Sequence, residues 1–253
     1  MTVKLYAMTC GWIAGDLGIF LNGEKGQVKI PVPSYLIEHP KGRVLFDTGM
    51  HPAIQKDFRS RVGKRADVFT VEFRPGEEIK GRLATLGIEP GRISFIINSH
   101  LHWDHTGGNE LIPNATVVIQ KREWEAGKVP ELIEANSFDP KDYNLGHRLL
   151  QVDGEHDLFG DGTVVAIPSY GHTPGHQSLK VQLASGPIVL TADACYMRKT
   201  LEDLHLPQLL HNAEQMRASL MMFRKLQAAG ARIFYGHDPV FWREVPQAPL
   251  LIS

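Results

Sequence analysis

The stretch ISFIINSHLHWDH, residues 93–105, decides how this chain is read. It opens as a mostly apolar run, 93–99, and closes on His100, His102, Asp104 and His105. A run of that length suits a strand buried on both faces, as in layered α/β proteins. Such folds gather ligand sites in the loops at strand ends, where a rigid sheet fixes residues from distant sequence. With 12 histidines in 253 residues, three in six positions are not an accident of composition.

In an extended segment side chains alternate, so His100, His102 and Asp104 are expected on one side, with His105 turned toward a neighbouring point. Imidazoles and a carboxylate are ligands for zinc and similar first-row ions. A lone histidine is usually a packed or solvated side chain, but three with an aspartate at this spacing point to a metal site. Ligands splayed to two sides suit two adjacent ions better than one. A closed structural zinc site is disfavoured, because Cys10 and Cys195 are both far from the cluster.

The missing ligands should come from other strand ends. Strands are expected over 28–39, 43–49 (ending in a turn at Gly49), 116–120, 163–168, 178–183, 187–193 and 232–237. Asp193 ends one of these and His237 another, while the turn SYGHTPGHQSL (169–179) offers His172 and His176. A helix is expected over 77–86, with Ile79, Leu83 and Leu86 on one face and Gly87 as its cap. A second helix, 212–229, has Asn212 as N-cap, a stripe of Met216, Leu220, Phe223 and Leu226, and Gly230 at its end. That stripe reads as core.

Glycine and proline are spread evenly and mark no linker, so one domain over 1–253 is expected. A net charge of -1 argues against nucleic-acid binding through backbone electrostatics. No apolar run is long enough for a bilayer, and Asp16 spoils the N-terminal segment as a signal peptide. Two unpaired cysteines fit a reducing compartment, so a cytoplasmic location is expected.

HLHWDH, GHTPGH, the aspartate of TAD, the histidine of GHD and the early LFDTG occur in this order. Together, from about residue 30 to 240, they resemble the metallo-β-lactamase superfamily. The resemblance implies an α/β fold, a four-layer αββα sandwich of two mixed β-sheets flanked by helices, with the site at one edge. Within the superfamily PVPSYLIEH, FDTGM, SHLHWDHTGG, GHTPGHQSL and TADACY are most similar to the N-acyl homoserine lactonases. Tyr196, three residues after Asp193, stands where those enzymes carry a tyrosine beside the metals.

The resemblance implies two divalent ions, zinc first, with iron, cobalt or manganese sharing the same ligand preferences. His100, His102, His172 and Asp193 would hold one, and Asp104, His105, His237 and Asp193 the other. His176 would not be a ligand, and Asp47 would orient the histidine loop. The implied reaction is attack of a metal-bridging hydroxide on a small-molecule lactone, with Tyr196 polarising the carbonyl and Asp104 carrying the proton. Trp103, Phe69 and Phe73 are candidates to line a slot for the acyl tail. Trp12, Ile19 and Phe20 are candidates for pocket rim or homodimer interface.

The main rival is another lactonase or a glutathione thioester hydrolase of the same superfamily. The latter would want a basic patch, and none is apparent near the motifs. A β-lactamase would be exported and often uses a cysteine ligand, and a nuclease would need a further RNA domain. A non-catalytic metal-binding protein on this scaffold is the rival from another class.

Overall fold

The computed structural model describes residues 2–253. Its longest pairing lies where no strand was expected. β1 (Lys4–Asp16) runs antiparallel to β2 (Gln27–His39) along nearly its whole length. A register shift between Thr9 and Trp12 interrupts the pairing. Such a bulge breaks the two-residue alternation that marks a strand in sequence, so β1 carries no clean pattern.

A seven-stranded sheet is completed by β3 (Gly42–Phe46), β4 (Thr70–Glu72), β5 (Phe95–Ile97), β6 (Thr116–Gln120) and β7 (Arg148–Val152). Its order is β4-β1-β2-β3-β5-β6-β7, antiparallel from β4 to β3 and parallel from β3 to β7. The second sheet contains β8 (His156–Asp157), β9 (Val164–Pro168), β10 (Gln177–Leu183), β11 (Gly186–Leu190) and β12 (Arg232–Phe234). Its order is β12-β11-β10-β9-β8, with only β11 and β12 parallel.

The layering follows from strands apolar on both faces. Phe46, Ile97 and Val118 join Val164, Val181, Ile188, Leu190 and Phe234 in a core between the sheets. Their neighbours Leu45, Ile96 and Val117 point outward, onto Ile54, Val62, Ile79 and Leu83. On the far side Val165, Val189 and Ile233 pack against Leu220 and Phe223 of the helix Ala213–Ala228. This is the αββα order. That helix is capped by the Asn212 side chain, which accepts the Gln215 N–H at 3.0 Å. Phe223 is fully buried, so Phe223→Ala is expected to lower stability by about 3–5 kcal/mol, measured by urea unfolding. A change below about 1 kcal/mol would show that this layer does not depend on the helix's apolar stripe.

Several strands are shorter than expected. β5 stops at Ile97, β11 at Leu190 and β12 at Phe234. At Thr191 the ladder closes, with both its N–H and its hydroxyl donating to the Phe234 carbonyl. Asp193 therefore lies not at a strand end but in the short turn Ala192–Ala194 beyond it. The freed loops all leave the same edge of the sandwich.

Candidate active site

The polar loops meet at that edge. The loop after β5 brings His100 and His102, the β9–β10 turn His172, the turn after β11 Asp193 and Tyr196, and the loop after β12 His237. The histidine segment is not extended throughout. His102 is the N-cap residue of a single helical turn, Trp103–Thr106. That turn overrides the expected alternation and carries Asp104 and His105 away from His100 and His102. The donors accordingly form two groups, His100, His102, His172 and Asp193 in one and Asp104, His105 and His237 in the other.

Asp193 lies between the groups. Its Oδ2 is 3.3 Å from His172 Nε2 and 3.7 Å from His100 Nε2. Its Oδ1 is 3.1 Å from His105 Nε2 and 3.0 Å from His237 Nε2. Within the first group His102 Nδ1 is 2.8 Å from His100 Nε2 and 3.1 Å from His172 Nε2. Asp104 Oδ2 is 3.5 Å from His105 Nε2 and 3.8 Å from His237 Nε2.

The opposite nitrogen of nearly every imidazole is already committed. His102 Nε2 donates to the Asn136 carbonyl at 2.7 Å and His237 Nδ1 to the Pro31 carbonyl at 2.7 Å. A carbonyl only accepts, so those nitrogens carry the proton and the inward ones offer lone pairs. Asp47 serves the rest. Its carboxylate accepts the Ser99 N–H and hydroxyl, each at 2.7 Å, and His105 Nδ1–H at 2.8 Å. The Ser99 hydroxyl in turn accepts from His100 Nδ1 at 2.9 Å. Asp47 has φ 57, a left-handed conformation that aspartate tolerates better than most residues. The glycines after the histidines answer a close approach by the same loop, since a Cβ at Gly108 would lie 2.3 Å from the Thr48 carbonyl.

Burial pushes the His100, His102 and His172 imidazoles below their ordinary range, which keeps them neutral. Burial opposes charge at His105 too, but Asp193, Asp104 and Asp47 outweigh it and hold that imidazole well above the usual value. The Asp193 carboxyl, pushed up by burial, is brought well below its usual range by His105, His237, His100 and His172. His105 Nε2 and Asp193 Oδ1 are buried without a hydrogen-bond partner. Two such atoms facing one another at about 3 Å need a proton or a metal cation between them. Imidazoles with committed outer nitrogens and carboxylates without enough donors fit divalent metal ions.

A cavity of about 420 Å³ opens onto these groups. Trp103 and Phe69 line it, along with Ile19 and Phe20. Phe73 does not. It is a core residue, against which a Cβ at Gly11 would lie at 2.8 Å. Trp12 also lies off the cavity, packed beside the inter-sheet core under Lys29. Tyr196 is buried in the cavity wall, 5.6 Å from the Phe20 ring and 5.6 Å from that of His237. Its hydroxyl is 3.4 Å from His172 Nδ1. His176 stays behind the site, bonded through Nδ1 to the Ser169 hydroxyl at 2.9 Å.

Sequence reading missed four contributors. Pro31 and Asn136 act through carbonyls, which leave no side-chain signature. Lys64 and Arg65 reach the cavity from a segment remote from the motifs, although Arg65 is spent on the Ser137 carbonyl.

The chain belongs to the metallo-beta-lactamase superfamily, whose sequence profile matches residues 29–237. It is 35% identical to the N-acyl homoserine lactonase AttM of Azorhizobium caulinodans, over 98% of this chain and 97% of that protein. To the N-acyl homoserine lactonase AiiA of Bacillus thuringiensis subsp. kurstaki it is 29% identical, over 83% of this chain and 82% of the other. Among solved structures it is similar to an N-acyl homoserine lactone hydrolase with the product N-hexanoyl-L-homoserine bound at its catalytic metal centre. That likeness has a TM-score of 0.89 at 28% identity and covers 100% of both chains.

Proposed function

We propose that this chain is a dinuclear metal-dependent hydrolase that opens the lactone ring of N-acyl homoserine lactones. The observation that carries the reading is Tyr196, whose phenol sits in the wall of an apolar cavity beside the two groups of metal-ligating side chains. Identity to the lactonases over nearly the whole chain supports it.

His100, His102, His172 and Asp193 would hold one ion, and Asp104, His105, His237 and Asp193 the other, with Asp193 shared. When bound, such a pair supplies Lewis-acid polarisation and a water acidified toward neutrality. Zinc suits these donors best, and iron, cobalt and manganese accept the same set.

The remaining work falls to the chain. Burial, reinforced by Asp193 and Asp104, pushes the Tyr196 phenol well above its ordinary pKa, so it stays protonated and donates to the lactone carbonyl oxygen. Asp104 lines the cavity beside His237. It takes the proton released by the attacking water and passes it to the ring oxygen as that oxygen leaves. Trp103, Phe69, Phe20 and Ile19 exclude water and receive the acyl chain. A cytoplasmic site of action goes with this reading, since both cysteines are free and buried.

Zinc-loaded protein should open hexanoyl and longer acyl homoserine lactones while leaving a glutathione thioester and a β-lactam almost untouched. Turnover of the thioester alone would sink the reading and give Lys64 a role in binding an anionic substrate. Tyr196→Phe is expected to lower kcat on the lactones about 10–100-fold with a small change in KM. An unchanged kcat would remove the phenol from the carbonyl.

A further inference from the structure

Glu123 lies outside every motif, in the first turn of the short helix Lys121–Ala126. It is fully buried, and its carboxylate is met by backbone N–H groups rather than by a cation. One oxygen accepts the N–H of Leu101 at 3.2 Å, the other the N–H of Gly175 at 2.6 Å. Leu101 is the residue between His100 and His102, and Gly175 sits in the turn between His172 and His176. A single side chain therefore ties together the two loops whose histidines meet at 3.1 Å, His102 Nδ1 to His172 Nε2. Position 175 must be glycine for this, because a Cβ there would lie 2.2 Å from the Glu123 nitrogen. Burial pushes the carboxyl up to about 7 even against its backbone donors, so the position is costly to keep acidic. A space-filling apolar residue would avoid that cost, but it would orphan two buried N–H groups.

We propose that Glu123 is a positioning residue, whose carboxylate sets the spacing between the HLH and GHTPG loops and so the geometry of the His100, His102, His172 and Asp193 group. This rests on the reading of that group as a metal site. Glu123→Gln separates the clamp from mere filling. Glutamine has the same shape, but its amide offers one acceptor and turns an NH₂ toward the other backbone donor.

In cobalt-substituted protein, Glu123→Gln is expected to alter the visible absorption envelope, weaken cobalt binding about tenfold and lower kcat about tenfold. KM should stay within about twofold, as for a residue remote from substrate. A Gln variant matching wild type in spectrum, affinity and kcat would overturn the proposal. Wild-type protein is the control for the underlying reading, since its own cobalt binding and lactone turnover do not depend on the variant. Should the variant fold poorly by circular dichroism, amide exchange in metal-free wild-type protein decides. The Leu101 and Gly175 amides are expected among the slowly exchanging core amides. Exchange as fast as in exposed loops would overturn the clamp.

Discussion

Asp193→Asn is expected to lower kcat/KM toward N-hexanoyl homoserine lactone by about 10²–10⁴-fold. At ~1.4 kcal/mol per decade of rate, that corresponds to about 3–5 kcal/mol of lost transition-state stabilisation. The two carboxylate oxygens divide between the histidine groups, one toward His172 and His100, the other toward His105 and His237. An asparagine supplies one oxygen and sets an NH₂ against the other group. The protein should therefore lose at least one of its ions, which a metal count on the purified variant reads directly. Full metal content with lost activity would mean that Asp193 acts on the substrate and not by joining the two groups.

The second large effect is expected at a residue that touches no substrate. Asp47→Ala strands three buried donors, the Ser99 N–H, the Ser99 hydroxyl and His105 Nδ1–H. Each orphan costs roughly 1–3 kcal/mol, so a loss of about 3–9 kcal/mol in unfolding free energy is expected. Alanine at φ 57 adds about 1 kcal/mol of backbone strain. With His105 freed to rotate, activity should fall about 10–100-fold as well. A wild-type urea midpoint together with full metal content would show that something other than Asp47 orients the histidine loop.

The legible parts of this protein are those in which each residue speaks for itself. The apolar runs at 116–120 and 163–168 become β6 and β9 because strands covered on both sides must be apolar throughout. The helix at 213–228 is readable from a cap, a stripe and a terminal glycine. The clustering of metal-ligating residue types was readable from chemistry alone, although they sit in loops beyond the strands and not at their ends.

What stayed hidden depends on relations between segments. β1 is concealed by its bulge. The helical turn at Trp103 is a tertiary choice that local alternation does not reveal. Phe69 and Phe73 looked alike, yet an even spacing along the segment did not give them the same surroundings. The first reaches the cavity, while the second is buried in the core against Gly11 of β1. Glu123 carries no mark in the sequence, because nothing nearby in sequence shows the two backbone donors that surround it.

The bond from His237 to the Pro31 carbonyl joins positions 206 residues apart. Pro31 belongs to the long hairpin of β1 and β2, His237 to the loop just beyond β12 of the second sheet. The nascent chain can thus build most of one sheet and expose several histidines long before the pocket exists. Contacts this distant in sequence close slowly, after the local ones. The pocket is therefore complete only when the loop beyond β12 has met the hairpin of β1 and β2.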